Sequence, residues 1–379
     1  MRKLKKISSS YSDVLIIDAN GSDFILQCLP KKYSSRVLTI RGEAPIIFSL
    51  GFFLILVRMI IRFGPTPLAL ISSIIQYLGP LAVITFIDNI SIMGKLSNLF
   101  PDCLVISVQN GVRFKGDWYQ DYKLPTYFGF GEYERELIKD SAVHVDEYQA
   151  VGSLKMGLFL SELGNYERRP DSNGRVCFIS QYRHNMLGSD DQPWYEKFFS
   201  YNREVFVDLV NWSKENNFQL DVAMVSSRIN KNFDNEINYF KGSVDCSNVC
   251  FHPKVQESFS SYNVCINAEV LVAVDSTLGF EMFGYGKKIL FCGAMNDSFM
   301  SVRGSFGLFE KMPKFVLLKE EGGEQESLNW KLSNLLTMSD KEYLDATKSA
   351  RSYYMSNGQK YPHEIISDCI SSFISGQSK

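Results

Sequence analysis

Two breaks in the sequence place small polar or titratable residues just where an apolar run ends. His252-Pro253 closes NVCFHP, and Asp275-Ser276-Thr277 closes VLVAVDST. Where a strand gives way to a helix, the free N–H groups of the helix N-terminus attract an anion, and Ser/Thr hydroxyls add donors. An imidazole at another strand end of the same half can hydrogen-bond a phosphate and help a leaving group depart. Each break also has a plain reading. Ser276 or Thr277 can be an N-cap that touches no ligand, and His252 a satisfied strand-end histidine. The two breaks together are more specific than either alone. Glu281, one turn into the following helix, is placed to grip a ribose diol or to face water.

Group transfer also needs a carboxylate, as nucleophile or as base. Asp234 and Glu236 lie in the same half as His252, with Asp221, Asp88 and Asp18 as further candidates. On a helix Asp234 and Glu236 do not share a face, so at most one enters a cleft. Gln181, Arg183 and His184 follow the strand-like RVCFIS. Arg183 suits a bidentate pair with a substrate carboxylate, or else lies on a surface turn. Arg228 belongs to a second polar segment, SSRINKNFDNE. In the first half, Asp18-Ala19-Asn20-Gly21, Asp88-Asn89 and Gln109-Asn110-Gly111 each follow a strand. Carboxamides and carboxylates suit sugar hydroxyls, although turn chemistry alone explains any one of the three.

Other chemistries find little support. The eight cysteines are scattered singly without a CxxC, so reduced thiols and no metal site are expected. DANGSDF after the first strand lacks GxGxxG, and a P-loop is missing too. A net charge of −2 gives no basic field for nucleic acid.

The elements that must position these residues alternate. Asp13–Asp18, Arg36–Ile40, Ala82–Ile87 and Cys103–Val108 read as strands, with helices at Pro45–Phe63, Pro67–Leu78 and Ser91–Phe100. Residues 114–170 resist assignment. After the turn signature Pro170-Asp171-Ser172-Asn173-Gly174 the pattern restarts with strands Arg175–Ser180, Leu220–Val225 and Asn248–His252, and two more flank the Asp275 break. Such alternation implies parallel sheets, and 379 residues exceed one core. The expected fold is α/β: two Rossmann-like doubly wound domains facing across a cleft, 1–170 for the acceptor and 171–330 for the nucleotide sugar. Helices in 331–379 are expected to pack back across them. In Ala44–Phe63, APIIFSLGFFLILVRMIIRF, the uninterrupted apolar part runs only about 13 residues before Arg58, short of the roughly 20 a spanning helix needs. The stretch reads as a buried core helix or as a segment at the membrane surface, with Arg58 and Arg62 reaching lipid phosphates.

The HP pair followed by a Ser/Thr-rich strand end resembles GT-B glycosyltransferases that use CMP-activated sugars, among them bacterial sialyltransferases and Kdo transferases. ITFIDNISIMGKLSNLFPDCLVISVQNGVR (84–113), SQYRHNM (180–186) and SSRINKNFDNEINYFKG (226–242) look like surface-carbohydrate biosynthesis proteins, the retaining β-Kdo transferase modules above all. The resemblance implies a CMP-β-Kdo donor whose phosphate is held by His252, Ser276 and Thr277, with Pro253, Glu281, Gln181 and Arg183 completing the donor site. It implies catalytic roles among Asp234, Glu236 and His252, in a retaining or an inverting transfer. Asp18, Asn20, Asp88, Asn89, Gln109, Asn110 and Arg228 would meet a glycan acceptor on a lipid or polyprenyl carrier, in lipopolysaccharide, O-antigen or capsule synthesis. It further implies metal independence and a cytoplasmic enzyme at the inner face of the bacterial inner membrane. A UDP-sugar transferase, a GT-B-type nucleotide-sugar epimerase and a non-catalytic αβ binding protein are the competing readings.

Overall fold

Four apolar runs are buried along all or nearly all of their length: β2 (Val14–Ile17), β5 (Ala82–Thr85), β9 (Arg175–Ile179) and β12 (Val270–Ala273). A strand with no polar face must be covered on both sides, which is the situation inside a parallel sheet flanked by helices. The computed structural model describes residues 3–6, 11–39, 43–46, 49–88, 90–114, 122–164, 174–182, 193–229, 232–255, 259–293, 308–318 and 327–377.

The chain forms two compact units. The first comprises Met1–Gly111, Asp117–Glu162 and Asn357–Lys379, and the second Val112–Gly116 and Leu163–Ser356. The first unit adds β1 (Lys3–Lys6), α1 (Ser22–Cys28), β3 (Ser35–Leu38), β4 (Glu43–Ile46), α2 (Leu50–Phe63), α3 (Pro67–Leu78) and α4 (Ile92–Leu99). It continues with β6 (Leu104–Val108), β7 (Tyr122–Gly129), α5 (Glu132–Lys139), β8 (Val143–Ala150) and α6 (Leu154–Leu163). The second unit contains α7 (Pro193–Glu215), β10 (Gln219–Ala223), α8 (Phe233–Lys241), β11 (Val249–His252), α9 (Ser260–Ile266), α10 (Thr277–Tyr285) and β13 (Ile289–Phe291). It closes with α11 (Leu328–Thr337) and α12 (Asp340–Tyr354), whereas α13 (Pro362–Gln377) belongs to the first unit and packs on α1. The C-terminal helices are therefore divided between the units.

The first unit has a six-stranded parallel sheet in the order β3-β2-β5-β6-β7-β8. Strand order reverses at the β2/β5 pair. Asp18 follows β2 with a positive φ of 72°, and its Oδ1 accepts from Asn20 N at 3.3 Å. Gly21, at φ 77°, then starts α1; a Cβ there would lie 2.1 Å from the Phe86 ring, so only glycine fits. The second unit has a five-stranded parallel sheet in the order β11-β10-β9-β12-β13, with its reversal at β9/β12.

Two local readings differ from the structure. Pro45 does not open a helix. It pairs within a small parallel ribbon of β1 and β4, and α2 starts only at Leu50, where Ser49 accepts from Phe52 N. Pro67 does occupy a first turn, with Thr66 as the cap and Gly79 in the left-handed conformation at the end. The stretch that resisted assignment contains β7, α5 and β8. Pro125 lies inside β7, but pairing to β6 begins only at Thr126, so that partner loses no donor.

Candidate functional site

In open parallel sheets a ligand sits beyond the strand carboxyl ends, at the point where strand order reverses. In the second unit that point lies between the ends of β9 and β12. Gln181 follows β9 and Asp275 follows β12, and they bond each other twice. Gln181 Nε2 donates to Asp275 Oδ1 at 2.7 Å, and Asp275 N donates to Gln181 Oε1 at 3.1 Å. These two hydrogen bonds extend the β9–β12 pairing beyond the strand ends. Ser276 then takes the N-cap position of α10 in an extended conformation, yet its side chain makes no capping bond. The hydroxyl is half-buried and stands beside the unsatisfied N–H groups of the first helical turn. Thr277 Oγ1 is used differently, accepting from Val112 N at 3.1 Å.

Glu281 lies elsewhere. It is buried, and its Oε2 accepts from Tyr262 O–H at 2.7 Å. Burial, with the Glu281 charge second, pushes the Tyr262 hydroxyl pKa well above its ordinary value. Glu281 therefore does not face water. α10 buries six consecutive residues, Gly279 to Gly284, and Glu281 falls among them.

The α8 carboxylates separate as the helical spacing requires. Asp234 is exposed, while Glu236 is completely buried. Glu236 accepts from Ser180 Oγ at 2.5 Å, Val225 N at 3.1 Å and Ser226 N at 2.8 Å, tying the loops after β9 and β10 to α8. The hydroxyl of Tyr182 next to this cluster is raised in pKa by burial and then by Glu236. Glu236 is thus occupied in holding the strand ends. Beyond Ser226, Arg228 projects to solvent.

His252 also departs from expectation. Its Cα partner is Ala223, but its Nε2 lies 2.8 Å from Asp221 Oδ1, and Asp221 pairs two positions earlier with Cys250. The ring is therefore drawn back over the sheet face, not out past the strand end. Asp221 is buried and also receives Arg175 at 3.1 Å. Strand order separates His252 further from α10. β11 and β12 stand three strand spacings apart, about 14 Å at ~4.8 Å each. His252 and Ser276 thus follow strands that two others separate, and Pro253 is half-buried next to His252. Asp221, Cys250 and His252 do bring one ligand atom each within 4.8 Å. That donor set could hold a cation only by displacing the His252 contact to Asp221. Burial raises the Cys250 thiol, with Asp221 adding to the shift, which works against the thiolate a metal needs.

In the first unit the polar strand-end residues mostly bond to side chains and backbone of neighbouring elements. Asp88 is buried and accepts from Tyr127 O–H at 2.9 Å. Gln109 is buried too; its Oε1 accepts from Phe130 N at 2.6 Å and its Nε2 donates to Glu134 at 2.8 Å. Asn110 donates to Phe86 O at 2.7 Å, and Asn20 is exposed. Asn89, Arg183 and His184 lie outside the described residues. The sequence reading omitted Ser180, Ser226 and Tyr262, which are the partners that fix Glu236 and Glu281. For Ser180 and Tyr262 a hydroxyl at a strand end and in a neighbouring helix was the available signal; Ser226 donates through its backbone N–H and carried none.

Among curated proteins none matches the chain. Solved structures do. The wall teichoic acid polymerase TagF is 12% identical with a TM-score of 0.53, covering 97% of this chain and 90% of TagF. A TagF variant soaked with CDPG gives 11% identity and a TM-score of 0.53 over the same shares. The S. aureus MnaA–UDP structure is 12% identical, covers 98% of both chains and has a TM-score of 0.52. These likenesses establish the fold as GT-B, as the sequence led us to expect. A family profile of O-antigen biosynthesis proteins matches residues 108–311, more than half of the chain. By that match the chain belongs to an O-antigen biosynthesis protein family.

Proposed function

We propose that the protein is a glycosyltransferase of O-antigen biosynthesis that binds a nucleotide-sugar donor at the β9/β12 strand ends of its second unit. The observation that carries this reading is the pair of hydrogen bonds between Gln181 and Asp275 beside an α10 N-terminus whose Ser276 hydroxyl is not used for capping. A donor phosphate at that point would accept from the free N–H groups of α10 and from Ser276. The similar structures carrying CDPG and UDP support a nucleotide-linked donor. The resemblance to β-Kdo transferases favours CMP-β-Kdo, delivered to a glycan on a lipid carrier at the cytoplasmic face of the membrane.

Transfer breaks the bond from the anomeric carbon to the phosphate oxygen and forms one to an acceptor hydroxyl oxygen. The acceptor proton passes to a base, and CMP leaves with the bonding pair. If α8 supplies the carboxylate, it is Asp234, because Glu236 is buried under three hydrogen bonds. His252, oriented by Asp221, would then meet a part of the donor other than the phosphate held by α10.

The test is thermal melting with CMP, CDP and UDP, followed by transfer from CMP-β-Kdo. A nucleotide at about 100 times its Kd stabilises by about 2.7 kcal/mol. Stabilisation by CMP, lost in Ser276→Ala and Gln181→Ala, is the expected result. Stabilisation by UDP alone would replace it with a UDP-sugar transferase or epimerase. Indifference to all three nucleotides would end the donor-site reading.

A further inference from the structure

The first unit carries a helix whose outer face is apolar. In α2, Phe52 and Met59 are buried, and Phe52 packs edge-on against Tyr77 of α3 at 5.6 Å. The opposite side exposes Leu50 (76%), Phe53 (58%), Leu54 (61%), Val57 (39%), Ile60 (37%) and Ile61 (81%). At 3.6 residues per turn these six fall within one arc of roughly 120°. Arg58 and Arg62 are exposed one turn apart along a single flank of that arc. Between residues 44 and 87 there is no aspartate or glutamate, so the two arginines are the only formal charges of that stretch.

We infer that α2 lies on an anionic lipid surface, with its apolar arc in the acyl boundary and Arg58 and Arg62 on headgroup phosphates. The charge pattern selects this occupant. A continuous aliphatic and aromatic arc offers no polar group to fix the register of a protein partner, while cations flanking it match the layering of a membrane interface. Spanning is ruled out by length: 14 residues extend about 21 Å against a hydrocarbon core of about 30 Å. No helix among the described residues is long and apolar enough to cross a membrane. The inference stands on α2 alone and survives a failure of the donor assignment.

Co-sedimentation of the full chain with phosphatidylcholine vesicles, with and without phosphatidylglycerol, tests it. The wild type should bind the anionic vesicles more strongly than the neutral ones. Leu54→Asp/Ile61→Asp should lose binding by an order of magnitude or more, since it removes the buried apolar area. Arg58→Gln/Arg62→Gln should weaken binding to anionic vesicles by about fivefold per arginine and leave neutral vesicles little changed. All four positions are exposed, so the melting temperature should hold, and the arginine variant remains informative if the aspartate variant misfolds. Binding that is absent, or equal in all three proteins, would overturn the inference. So would a vesicle-free dimer that Leu54→Asp/Ile61→Asp dissociates, because the arc would then be a contact between copies.

Discussion

The two parallel sheets end in polar residues of similar type, yet those residues are engaged differently. At the carboxyl edge of the first sheet, Asp88 is tied to Tyr127, and Gln109 to Phe130 N and Glu134, all under cover. At the carboxyl edge of the second, Glu236 is equally enclosed, but the β9/β12 reversal keeps a half-buried hydroxyl and a helix N-terminus in reach of solvent. A polar residue after a strand is therefore no sign of a ligand by itself. What distinguishes the second edge is that Gln181 and Asp275 bond each other and leave Ser276 unengaged as a cap.

The sharpest way to break this contrast is on α8. Glu236→Ala should destabilise the second unit by about 3 kcal/mol or more, because the buried Ser226 N–H, the part-buried Val225 N–H and the Ser180 hydroxyl all lose their acceptor. Asp234→Ala, on the exposed side, should cost less than about 0.5 kcal/mol in urea unfolding while abolishing transfer. Equal stability losses would show that the two carboxylates are not divided in this way. In the first unit Gln109→Ala should cost about 2 kcal/mol for its buried bonds, and nucleotide affinity should be unchanged.

A smaller effect is expected of Tyr262→Phe, about 1–2 kcal/mol, from leaving Glu281 without its buried donor. The pH dependence follows from the raised Tyr262 pKa. The unfolded phenol ionises near its ordinary value of 10.0, while the buried one stays neutral. The stability tied to Tyr262 is thus complete below about pH 10 and is lost as pH rises beyond it; Tyr262→Phe should flatten that loss in melts between pH 9 and 11, a range set by the ~10 reference value. The smallest effect is at Asp18. Asp18→Gly removes a strained positive φ and should change stability by at most about 1 kcal/mol, with the relief offset by the lost bond to Asn20 N.

Much of the fold was legible because its central strands are continuous apolar runs, VLII and VLVA among them, and the helices carry their own caps, as Thr66 and Pro67 do. β7 was not, since Pro125 breaks a strand pattern that only tertiary pairing restores. The candidate site was legible as a set of strand ends but not as directions. Glu236 sits four residues before the buried Phe240, and Glu281 lies in a helix without a polar face, so both inward turns had a signal in the helical period. The retreat of His252 toward Asp221 had none. It depends on strand register, and its distance from α10 depends on strand order, neither of which local sequence encodes.

The most direct test of the central claim is amide hydrogen exchange of the wild type with and without CMP. Our account predicts added protection at the first turn of α10, from Thr277 to Gly279, and at Gln181 and Tyr182, with the strand ends of the first unit unchanged. Protection confined to the first unit, or none at α10, would contradict it.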